Sequence, residues 1–120
     1  MTSDHLDMST YGWHMLLAKY MLDIAMDGIK HGKYVASAYA LLVAFEEIVD
    51  AYSADDGKHF HVEYLADAWK YRLEWIKAHG LFETLEHLVH LCSKVVAERR
   101  YEYVEDMLRL INNLIMDVNR

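Results

Sequence analysis

Tyr34-Val35-Ala36-Ser37-Ala38-Tyr39-Ala40-Leu41-Leu42-Val43-Ala44-Phe45 (YVASAYALLVAF) is a run of twelve residues without a charge, in a chain of 120 residues that contains no proline. A bilayer span needs about 20 apolar residues, so the run is too short to cross a membrane. It is apolar on every side, which a surface helix is not. The pattern predicts a central helix over 34–50 with other helices packed on most of its faces.

Outward from that run, 3.6-residue periodicity and glycine punctuation mark five helices. The first starts near Ser9 or Thr10, acceptable N-caps, after a flexible tail over 1–8. Its stripe is Trp13, Leu16, Leu17, Tyr20, Met21 and Ile24, and Gly28 ends it. The second carries the run on through Glu46, Glu47 and Asp50 to about Tyr52, where Ser53–Gly57 (SADDG) forms a turn. The third covers about His59–Ala78, with one stripe of Val62, Leu65, Trp69, Leu73 and Ile76 and a second of Tyr64, Ala68, Tyr71 and Trp75. The fourth covers Leu81 to about Ala97 and buries Phe82, Leu85, Leu88, Val89, Cys92, Val95 and Val96. The fifth covers about Arg100–Asp117 and buries Val104, Met107, Leu108, Ile111, Leu114, Ile115 and Val118.

Short connections make consecutive helices antiparallel neighbours. The expected architecture is therefore an all-α single domain over 1–120, either an up-and-down bundle or stacked helical hairpins. A faint echo between HGKYVASAYALL (31–42) and HGLFETLEHLVH (79–90) favours hairpins. The shared Gly-x-aromatic turn looks like that of tetratricopeptide-type hairpins, but the offset is 48 residues and not 34.

Composition narrows function mainly by exclusion. Apolar residues make up 54 % of the chain, and the formal net charge is −7. The excess acid lies within residues 1–90, because residues 91–120 balance five acids with five bases. An acidic surface is unsuited to sequence-independent nucleic-acid binding, which depends on phosphate neutralisation by Lys and Arg. The N-terminal MTSDHLDMST has neither a basic start nor an apolar core, so it does not read as a secretory signal, and the cytoplasm is the default. The lone Cys92, on an apolar stripe, reads as a small buried hydrophobe.

Metal signatures fail on spacing. No glutamate has a histidine three residues later, which excludes the Glu-x-x-His pairs of a carboxylate-bridged di-iron bundle. His31, His59, Glu63 and His79 resemble part of a hemerythrin set, but Glu83 stands where a further histidine is needed, and none follows His90. His87 and His90 share a polar stripe with Glu83 and Lys94 and read as solvated. Arg72-x6-His79 resembles the spacing in helical RNases of the HEPN class, although Leu73 stands where a small polar residue is common.

The one enzymatic constellation is Glu46-Glu47-x-x-Asp50 on the second helix followed by Glu63-x-x-x-Asp67 on the third. Carboxylates on facing helices suit Mg²⁺ bridged to nucleotide phosphates. The pattern resembles the all-α nucleotide pyrophosphatases of the MazG type, whose signature is Glu-Glu-x-x-Glu followed by Glu-x-x-Asp. The resemblance covers about 25 residues and departs at Asp50 and Tyr64. It implies a Mg²⁺ site made by Glu47, Asp50, Glu63 and Asp67; apart from Lys58, no basic residue nearby is placed to meet a phosphate. Against it, Glu63 and Asp67 share a charge-paired face with Lys70, Glu74 and Lys77.

The leading expectation is instead a small, acidic protein–protein interaction module without a cofactor. It would act as an inhibitor, or an immunity- or phage-type antagonist, of a protein with a basic patch, and a homodimer fits the same apolar excess. Tyr and Trp dominate interface anchors, so Tyr64, Tyr71 and Trp75, together with the acids Glu46, Glu47 and Asp50, are the expected contact residues.

Overall fold

The computed structural model describes residues 11–60 and 65–118. Five helices follow in order: α1 (Tyr11–Lys30), α2 (Tyr34–Asp55), α3 (Leu65–Ala78), α4 (Phe82–Val96) and α5 (Tyr103–Val118). No strand occurs among the described residues, and no described helix is long and apolar enough to cross a membrane. Val62, Glu63 and Tyr64, to which the sequence assigned core and site roles, lie outside the described residues, as does the tail over 1–8.

The helix ends are set by glycine. At Gly32, Gly57 and Gly80 the backbone turns left-handed (φ 74°, 79° and 73°). At each, the glycine N–H and the next N–H reach back to carbonyls of the last helical turn, as in Lys33 N–H to Gly28 O at 2.7 Å and Lys58 N–H to Ser53 O at 2.7 Å. This closure satisfies carbonyls that a helix end otherwise leaves open. It moves two expected boundaries. Gly28 does not end α1, which runs on to Lys30, and Ser53–Asp55 belong to α2, so the turn is confined to Asp56–Gly57.

α2 touches each of the other four helices, with α1 its most extensive partner. Phe45, Leu41, Ile48 and Val49 of α2 meet Ile76, Leu88, Val95, Val104, Met107 and Ile111 in one cluster of almost completely buried side chains. Cys92 is buried on α4, and burial raises its thiol pKa. His87 and His90 face solvent, as their stripe implied.

The α1–α2 contact uses small residues. Ala18, Ala25 and Gly28 are buried on α1, and Ser37, Ala40 and Ala44 on α2. Ser37 Oγ donates to the Ala25 carbonyl at 2.8 Å. A Cβ built on Gly28 would stand 2.2 Å from Ser37 Oγ, so only glycine permits this approach.

That contact overturns the expected orientation of α1. Of the stripe assigned to the core, Leu16 is 59 %, Tyr20 61 % and Ile24 40 % exposed. Close approach through alanine and glycine leaves these three outside, while Met21 of the same stripe and Met15 beside it pack against the core. The quoted run on α2 is also not enclosed on every side: Val35 (38 %), Tyr39 (53 %) and Val43 (38 %), spaced by four, remain exposed. On α4, Val89 is exposed and Leu91 takes its place in the core.

Candidate functional site

Two features of the chain carry chemistry: a buried ionic cluster at the α1–α2–α3 junction, and aromatic surfaces around it. The cluster starts from adjacent residues of α2. Glu46 and Glu47 are 100° apart on the helix, so they address different neighbours. Glu47 reaches α1, where its Oε1 lies 2.7 Å from His14 Nδ1. Glu46 and Asp50, one turn apart, share a face toward α3 and Arg72.

Arg72 is 4 % exposed and Asp50 3 %. Arg72 Nε and Nη2 donate to the two Asp50 carboxylate oxygens at 2.8 and 2.9 Å, while Nη2 lies 3.9 Å from Glu46 Oε2. The guanidinium also stands over the Trp69 ring, 5.1 Å from its centroid. Burial works against the Arg72 charge, but the hydrogen bonds and charge of Asp50, with Glu46 and Glu47, more than offset it and hold the pKa above its ordinary value. Glu46 is raised as well: burial is the chief cause, Arg72 opposes it, and Asp50 and Glu47 reinforce it.

His14, Glu47 and Asp50 offer donor atoms all within 4.8 Å of one another, the separation a metal ion requires. Both Asp50 oxygens, however, already accept from Arg72. Ligation through Asp50 would set a divalent cation beside the buried guanidinium and make the two compete for one carboxylate. The donor set is therefore a poor Mg²⁺ cradle. Of the other expected ligands, Asp67 is exposed on α3, and Glu63 lies outside the described residues.

The acids and aromatics expected to meet a partner separate in the same way. Asp50 is corrected from surface acid to buried ion-pair partner. Glu46 and Glu47 are partly covered, with side chains 30 % and 16 % exposed. Trp75 is likewise corrected: it is 9 % exposed, its Nε1 donates to Asp56 Oδ2 at 3.2 Å, and its ring stacks on His79 (3.9 Å between centroids) and Tyr52 (6.3 Å). Tyr71 is exposed at 41 %, and Tyr64 lies outside the described residues. A cleft of about 660 Å³ opens beside Trp75, lined by Lys58, His59, Phe60, Tyr71 and His79 among others.

Sequence reasoning missed His14 and the ionic role of Arg72. Arg72 carried a readable signal, since it falls three residues after Trp69 and four before Ile76, inside an apolar stripe. An arginine there needs a buried acid, and Asp50 is on the adjoining helix. His14 carried no comparable sign. The larger omission is the uncovered apolar surface. Leu16, Tyr20 and Ile24 on α1 and Val35, Tyr39 and Val43 on α2 are exposed on two helices that pack against each other. No charged residue interrupts either stripe.

A scan against family models found no match, and neither did searches of curated proteins and of solved structures.

Proposed function

We propose that this chain is a protein–protein interaction module and that the uncovered face of α1 and α2 is its contact surface. The observation that carries the reading is the exposure of six large apolar residues on two adjacent helices: Leu16, Tyr20, Ile24, Val35, Tyr39 and Val43. The largest contiguous apolar patch on a monomeric protein is about 300–600 Å² and is often a functional one. The acidic residues first expected to choose a basic partner support this shift, since Asp50 is spent on Arg72 and Glu47 faces His14. A small antagonist acts by covering a partner's working surface, and this face has the size and chemistry for it.

In this reading α1 and α2 form an antiparallel hairpin that closes one side of a single domain, with α2 between α1 and the α4–α5 pair. The short Schellman turn at Gly32 and the cross-links His14–Glu47 and Ala25–Ser37 fit that direction, because rising numbers on one helix meet falling numbers on the other. The Mg²⁺-dependent pyrophosphatase of the MazG type stays behind it, for want of a free Asp50.

The reading is tested by retention of partners from extracts of the source cells, using tagged wild type, Tyr39→Lys and His87→Lys. Proteins kept by the wild type and by His87→Lys should be lost with Tyr39→Lys. An identical set retained by all three would refute the assignment of the face.

A further inference from the structure

We infer that the partner seated on this face is a second copy of the chain, so that two α1–α2 hairpins pack into a four-helix layer; the inference rests on the interaction-module reading above. The first argument is area. With about 150–250 Å² for a full tyrosine and less for an aliphatic side chain, the exposed fractions of Leu16, Tyr20, Ile24, Val35, Tyr39 and Val43 leave on the order of 500–600 Å² uncovered per copy. Covered in full, two such faces would remove about 1,000–1,200 Å² from water, which reaches the lower end of the range for stable specific interfaces. The face thus supplies the area a dimer needs from its six most exposed apolar side chains alone.

The second argument is chemistry. The two stripes are uncharged, and interface cores are depleted of charge while enriched in tyrosine. The stripes themselves offer a charged partner no counter-charge, whereas an identical face matches them in polarity. A two-fold axis places the same patch on both sides of the contact, so the patch must tolerate itself. The exposed rim of α1 carries both signs, because Asp23 and Asp27 are flanked by Lys19 and Lys30. Each copy therefore presents both signs along the edge of the contact, two acids balanced by two bases. Helix pairs stacked in this manner match the packing of four-helix bundles, in which two-helix layers bury their apolar stripes against each other.

Sedimentation equilibrium of the full chain across about 1–100 µM decides the matter, with far-UV circular dichroism confirming that each variant is folded. The wild type and His87→Lys should show twice the chain mass, whereas Tyr39→Lys and, independently, Tyr20→Lys should show the chain mass, with at least a 100-fold weaker association. A wild type that stays monomeric throughout overturns the second copy, whether the face is covered by residues 1–10 or by a foreign protein. That outcome leaves the module reading to the extract experiment. A dimer that survives both tyrosine substitutions overturns the pairing through this face.

Discussion

Both oxygens of Asp50 are held by one edge of the Arg72 guanidinium, at 2.8 and 2.9 Å, where neither residue is more than 4 % exposed. This pair ties α3 to α2, two helices that otherwise touch over a small area, and it converts the most conspicuous acid of the sequence into a structural one. Removing one partner is far costlier than removing both. Arg72→Met or Asp50→Leu alone should destabilise by about 3–5 kcal/mol in urea unfolding, and the double variant should recover most of that loss. Equal and additive losses would show that the pair is not coupled.

Glu46 gives the pH dependence. Its folded-state pKa is raised, chiefly by burial, so the folded protein holds the proton more tightly than the unfolded chain does. The stability this provides is present below the ordinary glutamate value of about 4.3 and is lost as pH rises through the higher folded value. At pH 7 the ionised Glu46 therefore weakens the fold. Glu46→Gln should be more stable than wild type at pH 7, and the gap should close as the solution approaches pH 4. A gap that widens on acidification would contradict the sign.

Gly28 sits against Ser37 closely enough that a Cβ cannot be inserted without movement. Within a helix, glycine to alanine ordinarily gains up to about 1 kcal/mol. Here Gly28→Ala should instead cost about 1–3 kcal/mol, the usual penalty of overpacking. Ser37→Ala alone loses the hydrogen bond to the Ala25 carbonyl, worth about 1 kcal/mol. In the double variant the offending Oγ is gone, so Gly28→Ala/Ser37→Ala should be more stable than Gly28→Ala. Thermal unfolding of the four proteins checks this cycle.

Magnesium should have no effect on stability. A ligand that binds the folded state raises its unfolding free energy by RT ln(1 + [L]/Kd), about 2.7 kcal/mol at 100 times Kd. With Asp50 committed to Arg72, unfolding curves with and without about 5 mM Mg²⁺ should coincide, and no Mg²⁺-dependent hydrolysis of nucleoside triphosphates should appear. A Mg²⁺-dependent rise in Tm that Asp67→Ala abolishes would restore the pyrophosphatase reading.

The helical class and most of the core were legible because large apolar residues recur at helical spacing. In α5 the stripe residues Val104, Met107 and Ile111 are all fully buried. The orientation of α1 was not legible for a definite reason. Periodicity gives weight to bulky residues, so Leu16, Tyr20 and Ile24 read as core, while the buried side of α1 holds the small residues Ala18, Ala25 and Gly28 along with His14 and Met15. The same bias hid the exposed stripe in the run at Tyr34–Phe45: an uninterrupted apolar segment has no polar residue to mark its outer side. The ionic cluster was half legible, since the acids Glu46, Glu47 and Asp50 stood out and their partners, His14 and Arg72, lie 33 and 22 residues away.

An uncharged contact face should also lack the salt dependence that an acidic surface meeting a basic partner would show. Charge-steered association weakens as ions screen it, whereas burial of Tyr20, Tyr39 and their aliphatic neighbours should not. The dimer dissociation constant should change less than about threefold between 50 and 500 mM NaCl; a tenfold or greater loss would assign the contact to charged residues.

The most direct measurement places a photoreactive benzoylphenylalanine at position 39 and weighs the product after irradiation. Seated against a second copy, it should give an adduct of twice the 14.1 kDa chain mass, while the same group at position 87 on the polar side of α4 should give none. A product at the mass of a single chain, or equal adducts from both positions, would contradict self-pairing through the α1–α2 face.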